Sequence, residues 1–129
     1  KGYIDFGIFR GIQAGAIAAL SGPQDFVAKN VALYKERRDI FVPGMRAAGW
    51  DVPNPKGTFY IWSKIPRKFA AMTSMEFAEL LLKETGIVCA PGTGFGEYGE
   101  GYVRFALVTE SKRLKEATAR IKKILDIEG

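Results

Sequence analysis

A single apolar stripe constrains the fold of this chain more than any other feature of its sequence. Its members recur at alternating steps of four and three residues, which is the spacing of one face of an α-helix. Its positions are Val27, Val31, Tyr34, Arg38, Phe41, Met45 and Ala48, of which only Arg38 is charged. The stripe predicts one long helix that ends at Gly49. Because Pro43 cannot donate a hydrogen bond to the carbonyl of Asp39, we expect this helix to be kinked.

A shorter helix is predicted before it, over residues 7–20, with small and aliphatic side chains on nearly all sides. A helix of that kind is expected to be buried or to pack against a large surface. Between the two helices, Ser21 to Gln24 have the S-x-x-Q form of a capping box. This form predicts the start of the long helix.

Strand and helix signals alternate in the rest of the chain. Residues 50–66 predict a short strand, a Pro/Gly turn and a second strand. A capping box from Thr73 to Glu76 opens a further helix, which Gly86 ends. Two more short strands and a final helix capped by Thr109 follow. The predicted fold class is α+β, a small mainly antiparallel sheet with helices packed on one face, plus the long kinked helix.

Composition narrows the possible functions. The length of 129 residues suits a single domain over 1–129, and no run approaches the ~18 apolar residues that cross a bilayer. The chain has no histidine, and its one cysteine is Cys89. Serine-histidine catalysis is thereby excluded, no metal site is expected, and a reducing, cytoplasmic location is predicted. The net charge of +5 comes from basic residues interspersed with acidic ones, so we expect no nucleic-acid or membrane partner.

The glycine-rich segment "GFGEYG", residues 94–99, fits the pattern G-x-G-x-x-G. A dinucleotide site needs a helix that begins within this motif, whereas here the glycines lead into a predicted strand. That strand also differs from the aromatic strand of RNA-recognition domains, because Arg104 stands where an aromatic residue is needed. A stand-alone basic α+β module that binds RNA or a protein partner is the alternative function.

Arg104 is the unexpected residue of the segment "GEGYVRFALV". The strand taken alone favours an edge-strand arginine that is paired with a surface aspartate or glutamate.

Three segments together resemble one family: "PKGTFYIW", "TGIVCAPGTGFG" and "GYVRFALV", in this order and at family-like spacing. The chain is similar, over essentially its whole length, to the C-terminal part of class I/II, fold-type I aminotransferases, which depend on pyridoxal phosphate. Within that family it looks closest to the bacterial branch of LL-diaminopimelate, alanine and aspartate aminotransferases.

The resemblance implies a substrate-closing small domain. By motif position, Arg104 is the arginine that binds the α-carboxylate of the amino-acid substrate, and Phe59 lies near the substrate and cofactor entrance. The parent enzyme is then expected to be a homodimer that transfers an amino group between an amino acid and a 2-oxo acid. Residues 3–7 correspond to a loop near the partner subunit's active site. The identity of the amino donor stays open.

This sequence departs from the family pattern in one respect. The family's Schiff-base lysine precedes a Gly-x-Arg-x-Gly stretch, and neither Ser63-Lys64 nor Ser111-Lys112 is followed by one. The large cofactor-binding domain is therefore expected upstream. No catalytic or cofactor-binding residue is predicted in these 129 residues, and on their own they are expected to be inactive and to hold no covalent cofactor.

Overall fold

The computed structural model describes residues 7–126, so the predicted loop over residues 3–7 lies almost wholly outside the described part. The chain divides into two compact units, residues 1–33 and 34–129. Helix α1 (Arg10–Ser21) belongs to the first unit, and helix α2 (Asp25–Ala47) begins there. No residue of α1 is buried, so the burial predicted for this helix is not found. Within residues 7–126, no helix combines the length and the apolar character that a membrane crossing requires.

The capping box predicted from Ser21 to Gln24 is wrong. Ser21 is the last residue of α1, and α2 begins only at Asp25. The Gln24 side chain instead donates hydrogen bonds to the carbonyls of Ala19 and Gly22, at 2.9 Å each. Gln24 therefore caps the end of the first helix, where carbonyl groups lack partners.

In the second unit, α2 buries its C-terminal turns through Phe41, Val42 and Met45. Pro43 lies inside the helix, and Gly49 follows it with a φ of +87°, the left-handed conformation expected of a helix stop. Arg38, the one charged residue in the predicted stripe, donates a hydrogen bond to the carbonyl of Pro55 at 3.2 Å. This arginine thus ties α2 to the turn before the sheet.

Three short strands form the sheet: β1 (Tyr60–Lys64), β2 (Ala90–Pro91) and β3 (Tyr102–Ala106). Their order is β1-β3-β2 and both pairings are antiparallel, so β3 is the central strand. The strand predicted near Trp50 does not form. Instead, the backbone amide of Trp50 donates to Met45, and the carbonyl of Val52 accepts two hydrogen bonds from the Arg46 side chain.

Helices cover one face of this sheet. Helices α3 (Ser74–Thr85) and α4 (Ser111–Asp126) complete the fold, and α3 has both the predicted Thr73–Glu76 capping box and the left-handed Gly86. Alternate strand residues enter a common core with α2, α3 and α4, among them Ile61, Val103, Phe105, Phe41, Phe77, Leu81, Leu114 and Ile121. The α+β class with helices on one face of a small antiparallel sheet is confirmed. The other face of the sheet carries Tyr60, Trp62, Tyr102 and Arg104, which are half-buried or exposed.

Candidate functional site

Arg104 lies at the centre of the open sheet face. It occupies the middle of β3, directly opposite Trp62 on β1 and Ala90 on β2. The edge-strand interpretation is therefore wrong about its position, because β3 has a hydrogen-bonded neighbour on each side. A central strand cannot shift without breaking two ladders, so it holds the side chain at a fixed point.

Two aromatic rings lie close to the guanidinium of Arg104. Its central carbon lies 4.1 Å from the centre of the Tyr60 ring and 4.3 Å from that of Phe95. Both distances are within the range of cation–π attraction. Among residues 7–126, no carboxylate forms an ion pair with Arg104. Its Nε is buried and has no hydrogen-bond partner there either. The cation is thus stabilised by rings, and its guanidinium donates no hydrogen bond to any other residue in the described part of the chain.

Phe95 reaches Arg104 from the glycine-rich loop. This loop consists of two short 3₁₀ turns, Gly92–Phe95 and Glu97–Gly99, joined at Gly96, whose φ is +115°. At its base the backbones of Gly92 and Gly99 are in contact, and a Cβ on Gly92 would also lie 2.7 Å from the carbonyl oxygen of Tyr102. Because Gly92 and Gly99 have no side chains, the backbone can cross itself closely at the base of the loop that carries Phe95.

Glu100 anchors the end of this loop. Its carboxylate accepts hydrogen bonds from the Ser74 amide at 2.6 Å, the Ser74 hydroxyl at 2.8 Å and the Gly101 amide at 2.8 Å. The hydroxyl of the buried Ser74 in turn accepts a hydrogen bond from the Gly101 amide at 3.0 Å. These contacts join the N-terminus of α3 to the residue that precedes β3. They also keep the pKa of Glu100 below its ordinary value, chiefly through the Ser74 and Gly101 amides.

The same loop offers a poor cradle for phosphate. The amides of Gly96, Gly99 and Glu100 donate to carbonyls within the loop, and that of Gly101 to Ser74 and Glu100. A phosphate site needs such amides to point at the ligand. Within residues 7–126, no three or more histidine, cysteine or acidic side chains come together as metal ligands would. These four amides of the loop are therefore already engaged within the chain.

Phe59, the second residue implicated by sequence, lies beside this site. Its half-buried ring stacks on Tyr34 at 5.3 Å and packs on Tyr60 at 4.3 Å between ring centres. Its carbonyl accepts a hydrogen bond from the Leu107 amide. Thr58, just before it, has a φ of +67°, which is unusual for a β-branched residue. Phe59 thus touches Tyr60, which in turn touches Arg104.

Sequence reasoning missed Tyr60, Phe95, Ser74 and Glu100. Phe95 had a local signal, since it is an aromatic residue between two glycines. The other three had none, because their partners are brought together from distant parts of the chain.

Comparisons with known proteins point to one family. The family model "Aminotransferase class I and II" matches residues 5–121. LL-diaminopimelate aminotransferase of Moorella thermoacetica is 45% identical over 97% of this chain, and glutamate-pyruvate aminotransferase AlaC of Escherichia coli is 46% identical over 100%. The substrate-bound structure of BacF from Bacillus subtilis superposes with a TM-score of 0.81 at 39% identity, over 92% of this chain and 30% of BacF. The chain spans 31% of the length of each of the two curated relatives.

Proposed function

Because the chain belongs to the class I and II aminotransferases, we propose that it is the substrate-closing small domain of such an enzyme, spanning residues 1–129. Its role is to hold the α-carboxylate of the amino-acid substrate through Arg104. The observation that carries this proposal is the guanidinium itself, which is central on the open sheet face and has no acidic partner among the described residues.

Carboxylate binding follows from the chemistry of the fork. A carboxylate presents two oxygens in one plane, and a guanidinium presents planar, permanently charged donors that match them. The buried Nε that lacks a partner is a donor whose loss of hydration a bound carboxylate would offset. With the carboxylate fixed, the orientation of the α-carbon is restricted. Phe59, through its contact with Tyr60, lines the approach to this point.

The proposed parent activity is transfer of an amino group between an amino acid and a 2-oxo acid, in a homodimer. Pyridoxal phosphate supplies the electron sink for such reactions when it is bound. The part of this chain in that reaction is to bind and orient the substrate through Arg104. We also propose that the 129 residues alone neither transaminate nor form a covalent adduct with the cofactor.

The test of the main proposal is Arg104→Lys in the full-length protein that carries this sequence. A lysine keeps the charge but replaces the fork by a point donor, so kcat/KM for the amino acid should fall by about 10- to 1,000-fold. Arg113→Lys, on the exposed side of α4, is the matched control and should leave kcat/KM unchanged. Unchanged kinetics in Arg104→Lys would refute carboxylate binding by this residue.

The separate 129-residue chain is tested with pyridoxal phosphate and borohydride. Mass spectrometry should then find no single lysine that is modified stoichiometrically. A stoichiometric adduct at one lysine would contradict the proposal. The alternative RNA-binding function predicts instead a salt-dependent shift with single-stranded RNA, which the aminotransferase proposal does not.

A further inference from the structure

We propose that Phe95 and Tyr60 are positioning residues that clamp the Arg104 guanidinium by its two faces and so determine how strongly it binds a carboxylate. This inference rests on the proposed function. It assigns the aromatic loop residue a direct part in substrate affinity.

The geometry of a guanidinium explains why aromatic rings can hold it without occupying its hydrogen-bond donors. Its N–H bonds all lie in the plane of the group, whereas its two faces carry no donor. Rings with centres 4.1 and 4.3 Å from the central carbon occupy positions that a cation–π contact prefers. They restrict tilting of the fork and leave its in-plane donors available to a ligand.

The clamp also replaces a counter-ion. An aspartate or glutamate beside Arg104 would compete with the substrate for the same donors. No such residue pairs with Arg104 within residues 7–126. The rings attract the cation without neutralising it, so the carboxylate of the ligand meets a full positive charge.

The position of Phe95 is determined by contacts that extend beyond Arg104. The residue is 51% exposed, and its ring meets that of Trp62 edge-on at 5.5 Å between centres. Trp62 in turn stacks on Tyr102. The loop that carries Phe95 is closed at its base by the Gly92–Gly99 contact. A half-exposed phenylalanine in a closed loop gains little from burial, so its contact with the cation is the feature that gives it a role.

The experiment compares Phe95→Leu with Phe95→Tyr in the full-length protein. Leucine keeps an apolar side chain but removes the ring face, whereas tyrosine keeps the ring. Phe95→Leu should raise KM for the amino acid by about 2- to 30-fold, the span that corresponds to one cation–π contact. Phe95→Tyr should behave like the wild type. The inhibition constant of the corresponding amine, which has no carboxylate, should be the same in all three proteins.

The outcomes separate this inference from the proposed function. Arg104→Met is included as the reference for loss of the carboxylate contact. A large effect of Arg104→Met with none of Phe95→Leu overturns the clamp and leaves the carboxylate site standing. If Phe95→Tyr loses as much affinity as Phe95→Leu, or if the amine loses affinity in parallel, the ring face is not the cause. If Arg104→Met also changes nothing, the proposed function fails with it. Thermal unfolding of each variant checks that the fold is kept.

Discussion

The backbone amide and the hydroxyl of Ser74 both donate hydrogen bonds to the carboxylate of Glu100, 26 residues further along the chain. This contact connects the start of α3 to the end of the loop that carries Phe95. Because the bonds favour the ionised carboxylate, the pKa of Glu100 lies below its ordinary value of 4.5. The contribution of Glu100 to the free energy of unfolding therefore depends on pH.

Glu100→Gln should therefore lower the Tm of the chain at pH 7. A group whose pKa is lowered by folding contributes stability above its unfolded pKa, and this contribution is lost as the pH falls through the folded value. The difference in Tm between the wild type and Glu100→Gln should accordingly shrink as the pH falls below about 4.5. Glu97→Gln, in the same loop, is the control: the Glu97 carboxylate forms no hydrogen bond or ion pair within residues 7–126, so this substitution should leave the Tm at pH 7 unchanged. A difference that is constant down to pH 2 would contradict this account.

Gly92→Ala should destabilise the chain. The added Cβ would meet the backbone of Gly99 and the carbonyl of Tyr102, neither of which can rotate away as a side chain can. Overpacking of this kind costs about 1–3 kcal/mol or more in the free energy of unfolding. The measurement is urea denaturation. Gly94→Ala is the matched control, because a Cβ there meets no atom within 4 Å, and equal stability losses at the two positions would refute the steric argument.

Gly44→Ala should lower the free energy of unfolding in the wild type and raise it when residue 118 is alanine. A Cβ on Gly44 would lie 2.9 Å from both Cγ2 and Oγ1 of Thr118, where α2 crosses α4. In the wild type this clash opposes the gain of roughly 1 kcal/mol that alanine brings to a helix. In a Thr118→Ala background the clash is gone, so Gly44→Ala should be stabilising there. A double-mutant cycle by urea denaturation measures the coupling, and additive effects would show that the two residues do not compete for space.

Cys89 should react slowly in the folded chain. Burial raises the pKa of its thiol to about 11, and only the thiolate is nucleophilic. At pH 8 the alkylation rate with iodoacetamide should be at least about 100-fold lower than in the urea-unfolded chain. Since folding raises this pKa, the associated stability is present at neutral pH and declines as the pH rises towards 11. Equal alkylation rates in the two states would contradict the burial of this thiol.

The fold class followed from the sequence because its strongest signals are local. The Thr73–Glu76 capping box and the left-handed Gly86 involve hydrogen bonds between residues a few positions apart, which neighbouring residues determine. The long helix was visible for the same reason. The predicted strand near Trp50 failed because the hydrogen bonds of that segment go to α2, a choice that no local pattern encodes.

For the candidate site, the sequence by itself determined which side chain was proposed to bind a carboxylate. The tertiary structure decided which strand holds that side chain and which rings lie close to it. The resemblance identified Arg104 as the carboxylate fork and Phe59 as its neighbour, and both assignments stay predictions. Only the fold placed Arg104 on the central strand, with the rings of Tyr60 from β1 and Phe95 from the glycine-rich loop within cation–π distance of its guanidinium. The physical reason is that strand order and ring contacts join residues far apart in the chain, so they depend on the packing of the whole core.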